Sequence, residues 1–530
     1  MNSISASLLF LATLYAQDQH PAHSPPEKPV ALYPGLGAWH HAIATRQPEA
    51  QKFFDQGLAL MYGFNRYEAL RSFRKAAELD ARAAMAYWGM AMALGPYINM
   101  DGDPSVQIKQ ACDAVNTGLR TQGIGERERD WLNAAAARCP DFSEPGRYVA
   151  AMRGLAARYP DDPDAQTLYA EALMVPVRWH WYRADGSPAE GVAEAERVLE
   201  AVLRRNPNHP GANHLYIHAV ESSPTPERAV PSAQRLMGIV PAAGHMVHMP
   251  GHIWMVLGDF DNTVAVNERA AEVDRQYFAR TGVMSSYYPY YLHNLQFIVY
   301  ARAMQGRAAA TMAAIRQVSD AAKMMPEMVD MVGSFATMAR LRMYRWDDVL
   351  GAAKPASQDA FTLAMWRHAR AVAFAGKDQL DQARSEQTEF EKLRKTADPN
   401  APWGNNKSGA LIELASAALE ARLEASPAAA VPKWRRVVAL QEALTYDEPP
   451  GWYYPVRESL GAATLMAGDA AGAEAVFREG LRRSPNNGQM LFGLLESLKA
   501  QKKTDAVPWV QREFDAAWKG ADIQLRLKDL

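Results

Sequence analysis

At 530 residues the chain exceeds what one hydrophobic core normally organises, so several domains or a repeat array is expected. Its 57 basic and 59 acidic residues leave a net charge of −2, without the basic excess of a nucleic-acid binder, so no nucleic-acid partner is expected. No apolar run approaches the ~18 residues of a spanning helix, and no membrane span is expected.

Taken in chain order, the N-terminus MNSISASLLFLATLYAQDQHP carries an apolar stretch from Ser7 to Ala16, followed at once by polar residues. This predicts a signal peptide over residues 1–17 and a periplasmic or secreted protein. No Lys or Arg precedes the stretch, which leaves a cytoplasmic protein as the alternative. Residues 18–48, with HSPPEKP and then YPGLGAWHH, read as an extended arm. Cys112 and Cys139 are the only cysteines, which allows one disulfide at most and excludes thiolate metal sites built on CxxC.

Helical, alanine-rich sequence follows, with a period. Gly57, Ala69, Phe73 and Ala76 recur near the C-terminus as Gly461, Ala473, Phe477 and Gly480, at the same spacing, closed by Pro485. Mid-chain, Pro207 and Pro241 lie 34 residues apart, each preceded by an alanine (Ala195, Ala229) at the same distance, and Gly251 and Gly258 continue the pattern. Small residues let helices approach closely, and proline ends the second helix of a unit. The pattern resembles the tetratricopeptide repeat (TPR). It predicts an all-α, TPR-like α-solenoid of roughly ten stacked antiparallel helix pairs. We assign residues 49–310 to an N-terminal array and 311–530 to more degenerate helical repeats, with a Pro/Gly/Asn-rich loop break near 395–410. Residues 178–191, RWHWYRADGSPAEG, form a Trp-rich loop, and 280–294 an aromatic insertion.

Histidines concentrate in the array. His214 and His218 stand at i, i+4, with Glu221 three residues on, one face of a helix where neighbouring Cβ atoms lie about 5–6 Å apart. One repeat of 34 later, the same two positions hold His248 and His252. Four imidazoles are therefore expected to converge from two stacked helices, with His245 beside them and His293, in YYLHNLQF, within reach. Pro250 is expected in the first turn of the later helix, placing His245 and His248 at its entrance. Registering the next repeat on Gly306 puts Gln296 and Tyr300 at the matched positions of a third wall. Asn213, Tyr216 and Asn294 are placed to hydrogen-bond behind the ligands, with Trp179 and His180 of the Trp-rich loop lining the groove. Two or three histidines with a carboxylate suit Zn, Fe(II) or Mn. Glu221 is either a further ligand or a general base. The Met-containing strings HMVHM and MMPEMVDM suggest copper more weakly, because methionine at helical spacing is usually core filler. No phosphate loop, G-x-S-x-G elbow or H-E-x-x-H is present, and no nucleotide cofactor is expected.

Residues 35–310 further resemble a group of bacterial TPR proteins, many with signal peptides, through NPNHPGANHLYIHAVESSPTPERA, AAGHMVHMPGHI and YYLHN. The resemblance implies the fold, export and a shared His-rich site facing the concave groove, and it brings no assigned reaction. Gln296 and His180 depart from the expected pattern, and His40 and His41 belong to it as arm histidines that could fold back over the groove. Two functions follow: a metal-binding protein, enzymatic if a coordination position stays open, or a scaffold whose groove takes a protein or peptide without metal.

Overall fold

The computed structural model describes residues 27–100, 105–284 and 287–530. The expected signal peptide and the start of the arm lie outside the described residues. Among those residues the architecture is all-α. The one strand pairing beyond an isolated bridge in the Trp-rich loop is a two-residue ribbon, Pro402–Trp403 against Asn406–Lys407. No described helix is long and apolar enough to cross a membrane.

The helices come in the predicted TPR-like pairs and pack on their chain neighbours. Gly57 on the helix Pro48–Tyr62 shows why the spacing works. A Cβ there would sit 2.7 Å from the Phe73 ring on the helix Arg66–Leu79, and one on Gly89 of Ala84–Leu94 would sit 2.4 Å from it. Phe73 fills the space that the two glycines leave and is completely buried. Gly461 and Gly493 grip Phe477 in the same way at 2.5 and 2.1 Å. Each such ring contributes about 1.5–3 kcal/mol by leaving water.

Two compact units are present. One comprises described residues up to Ile253 together with Ala265–Asn294; the other comprises Trp254–Val264 and Leu295–Leu530. In the first, Phe54 packs on Phe73, with centroids 5.4 Å apart, and Trp88 on Trp131, edge-on at 5.0 Å. In the second, Phe390 and Leu411, on either side of the loop near 395–410, share one core with Trp434 and Trp452. Tyr300 belongs to that unit and faces Arg342 and Glu458.

The arm runs extended over the first unit. Gly35 accepts from the Ala242 amide at 2.8 Å, and the Lys28 amide donates to Thr281 at 2.8 Å. Cys112 and Cys139 are joined in a disulfide.

Candidate metal centre

The helix Pro210–Glu221 starts on proline, whose missing N–H is no loss in a first turn. It is buried on all sides, so His214, His218 and Glu221 are inside the protein. The next repeat departs from expectation. Its helix begins at Gly244, not at Pro250, and breaks after one turn into Gly244–His248 and Pro250–Val256. Pro250 has no N–H for the carbonyl four residues back, so it divides the helix rather than opening it. His245 and His248 therefore sit on the first segment and His252 on the second.

The histidines do converge, but as two trios. Donor atoms of His214, His218 and His245 all lie within 4.8 Å of one another, and so do those of His248, His252 and His293. His293, on Tyr288–Met304, is half-buried, while the other five are 0–1% exposed. His245 joins the trios, its ring centroid 4.9 Å from that of His214 and 5.6 Å from that of His248.

What holds each ring decides what it can do. The Nδ1 of His214 lies 2.5 Å from the Tyr62 carbonyl oxygen, and that of His248 lies 2.6 Å from Oδ1 of Asn267. Glu221 takes the other two: its Oε1 is 2.8 Å from Nδ1 of His218 and its Oε2 is 2.5 Å from Nδ1 of His252. An oxygen acceptor at Nδ1 fixes the proton there and leaves Nε2 with its lone pair. Three of those Nε2 atoms face another imidazole nitrogen. His248 and His252 approach at 2.6 Å, Nε2 to Nε2, and His214 and His245 at 3.2 Å. Nδ1 of His245 has no hydrogen-bond partner.

An added proton that would charge the rings is disfavoured. Burial, followed by the neighbouring histidines, pushes His214, His245 and His248 well below the usual imidazole value. At neutral pH these three are neutral, as ligation requires.

Aromatic rings close the site. Phe64, held at φ 56°, covers His214 and His245 with centroids 4.3 and 5.1 Å away. Tyr290 meets His245 edge-on at 4.7 Å and pairs its hydroxyl with that of Tyr97 at 3.2 Å. Trp179 stands edge-on to His218 at 5.8 Å.

No family model and no curated protein matches the chain. Among solved structures, the crystal structure of the APC/C hetero-tetramer Cut9-Hcn1 is similar over 86% of this chain and 78% of that one, at 13% identity and a TM-score of 0.34.

Other predicted site residues lie elsewhere. Tyr216 donates to Glu200 at 2.7 Å, because two residues along a helix is about 200° round its axis, the face opposite His214. Asn213 donates to the Pro207 and His209 carbonyls and secures the helix start. Asn294 donates to Asp274 at 2.7 Å. His180 is exposed, with its Nδ1 2.9 Å from the Arg178 carbonyl oxygen. Gln296 is buried in the second unit, as is Tyr300. Of the arm histidines, His40 pairs with Asp55 and His41 with Asp164, so neither reaches the cluster.

Three residues that the sequence reading missed matter here: Tyr62, Asn267 and Asp274. Asn267 and Asp274 stand at i, i+7 on Phe260–Thr281, a buried polar stripe that the sequence does display. Gly251 makes room for Asn267, since a Cβ there would lie 2.6 Å from its Nδ2; Gly211 does the same for the Tyr62 ring at 2.3 Å. Burial pushes Asp274 up to about 8 against hydrogen bonds from Tyr287 and Asn294, so its carboxyl is protonated at neutral pH. Tyr287 also takes the His245 amide at 2.8 Å.

Proposed function

We propose that this chain is an exported, TPR-like metalloprotein whose buried histidine cluster binds a divalent transition metal. The observation that carries the reading is the arrangement of the imidazoles. Four have Nδ1 tied to an oxygen, and three of these, His214, His248 and His252, turn Nε2 to a neighbouring imidazole, the pattern of metal-bound histidine with an outer acceptor orienting each ring. Two lone pairs aimed at each other across 2.6 Å repel unless a cation lies between them. An all-imidazole donor set with no thiolate suits Zn, Fe(II) or Cu better than Mn, which prefers oxygen ligands. Glu221 is then a positioning residue, since both of its oxygens are committed to imidazoles. Export is supported by the apolar N-terminal stretch and by the Cys112–Cys139 disulfide, a bond that persists in oxidising compartments. An enzyme of this kind would need an open coordination position, and the half-buried side at His293 is where water or a small substrate would enter.

Chelator-treated protein titrated with Zn(II) tests the reading by thermal unfolding. Binding to the folded state alone stabilises it by RT ln(1 + [L]/Kd), about 2.7 kcal/mol at 100-fold excess over Kd. The midpoint rises in the wild type and does not move in a His214→Ala/His248→Ala variant. A wild-type midpoint indifferent to Zn, Fe(II), Mn and Cu refutes the metal and leaves the peptide-binding scaffold.

A further inference from the structure

We infer that the cluster is built for two metal ions, one held by His214, His218 and His245, the other by His248, His252 and His293, with Glu221 as the positioning residue shared by both. This rests on the metal reading above and sharpens it.

The two trios have the same construction. Each takes an i, i+4 histidine pair from one repeat, on a continuous helix in the first trio and across the break at Pro250 in the second, and a third histidine from the next repeat. The first pair, on Pro210–Glu221, is completed by His245 from Gly244–His248. The second, His248 and His252, is completed by His293 from Tyr288–Met304. The 34-residue period thus repeats the i, i+4 pair, while the third histidine recurs 48 residues on, His245 to His293. A single ion would need its imidazole nitrogens within about 2.0–2.1 Å of one point. The donor atoms instead close into two groups of three, each mutually within 4.8 Å.

Glu221 ties the halves together. One carboxylate oxygen orients His218 of the first trio and the other orients His252 of the second, and the residue is 2% exposed. It raises the basicity of one ligand in each site and supplies a negative charge between two cations. A glutamine there keeps one acceptor oxygen but turns an N–H toward the other ring's Nδ1–H. One of the two histidines then loses its orienting bond.

The test uses full-length protein without a histidine tag, stripped of metal and titrated with cobalt(II) alone, read by visible absorption and electron paramagnetic resonance. Wild type is expected to saturate at two equivalents, with the first ion's resonance altered when the second enters beside it. His214→Ala and His293→Ala are each expected to saturate at one. Glu221→Gln is expected to keep two sites, with affinity lowered about 10–100-fold. Wild-type saturation at one equivalent overturns the two-ion proposal and leaves a single metal centre standing. No uptake overturns both readings. Loss of all uptake in His293→Ala, with wild-type circular dichroism and two ions in the wild type, overturns the assignment of trios. Unchanged affinity in Glu221→Gln overturns the shared positioning role. The wild-type stoichiometry depends on no variant folding.

Discussion

The first unit buries two sets of histidines, and they are built in opposite senses. Around Asp164, every contact is a donor meeting an acceptor. Its carboxylate receives Tyr62 Oη at 2.6 Å, Trp39 Nε1 at 3.0 Å, His41 Nδ1 at 2.8 Å and His209 Nε2 at 3.2 Å. His209 has Nε2 free to donate because its Nδ1 accepts the Ala212 amide and caps the helix. Burial raises the cost of the Asp164 charge, but the two histidines outweigh it and hold the carboxyl well below its usual range. That network fastens the arm to the repeats. In the cluster at His214–His293 oxygen acceptors stand behind four of the rings, and ring nitrogens meet in front. His41 meets Asp164 through Nδ1 as His218 meets Glu221, but the cluster also turns ring nitrogens on one another, Nε2 to Nε2, which the Asp164 network does not.

Tyr62 belongs to both, with its hydroxyl on Asp164 and its carbonyl on His214. The largest expected effect is therefore at Asp164. Asp164→Ala leaves His41, His209, Trp39 and Tyr62 without their acceptor, and denaturant unfolding should show a loss of about 3–5 kcal/mol, as for breaking a buried ion pair. Equal stability of the variant would mean that the clasp is not holding the arm.

The pH dependence separates the two sets more finely. In His214, His245 and His248 the folded value is depressed below 6.5. Their contribution is present above pH 6.5 and lost as pH falls, when the unfolded chain binds protons that the folded one does not, at up to about 1.4 kcal/mol per unit for each group. In His41, burial opposes the charge but Asp164 prevails, and the folded value is raised. Its contribution is present below pH 6.5 and lost as pH rises through the folded value. Asp164, depressed below 3.8, weakens only under stronger acid. Metal-free protein should lose stability between pH 6.5 and 5, and His248→Gln should flatten that slope, whereas His41→Gln should leave it and instead remove a decline in stability above pH 6.5. Equal slopes in both variants would erase the distinction drawn here. The smallest effect is at His180, which is exposed: His180→Ala should change stability by less than about 0.5 kcal/mol and leave metal uptake unchanged. Loss of metal in that variant would place the Trp-rich loop in the site.

Much of this was legible in the sequence because repeats copy positions. Gly57 with Phe73 and Gly461 with Phe477 mark the helix pairs at one spacing, and the 34-residue step from His214 and His218 to His248 and His252 brought the site to view. Tyr216 could have been excluded by helix geometry alone. The division into trios was not legible. It depends on a backbone carbonyl, that of Tyr62, delivered from 152 residues away, and on the break at Pro250, which sets His248 and His252 on separate helical segments. The acceptor at each Nδ1, and so the direction of each lone pair, is a tertiary fact. Nor could the sequence tell that His41 would be spent on Asp164 rather than on the groove.

The most direct measurement is metal content by plasma mass spectrometry on protein purified without a histidine tag, beside the His214→Ala/His248→Ala variant. The account predicts near-stoichiometric Zn, Fe, Mn or Cu in the wild type and none in the variant. Wild-type protein that carries no metal and takes up none on loading would contradict it.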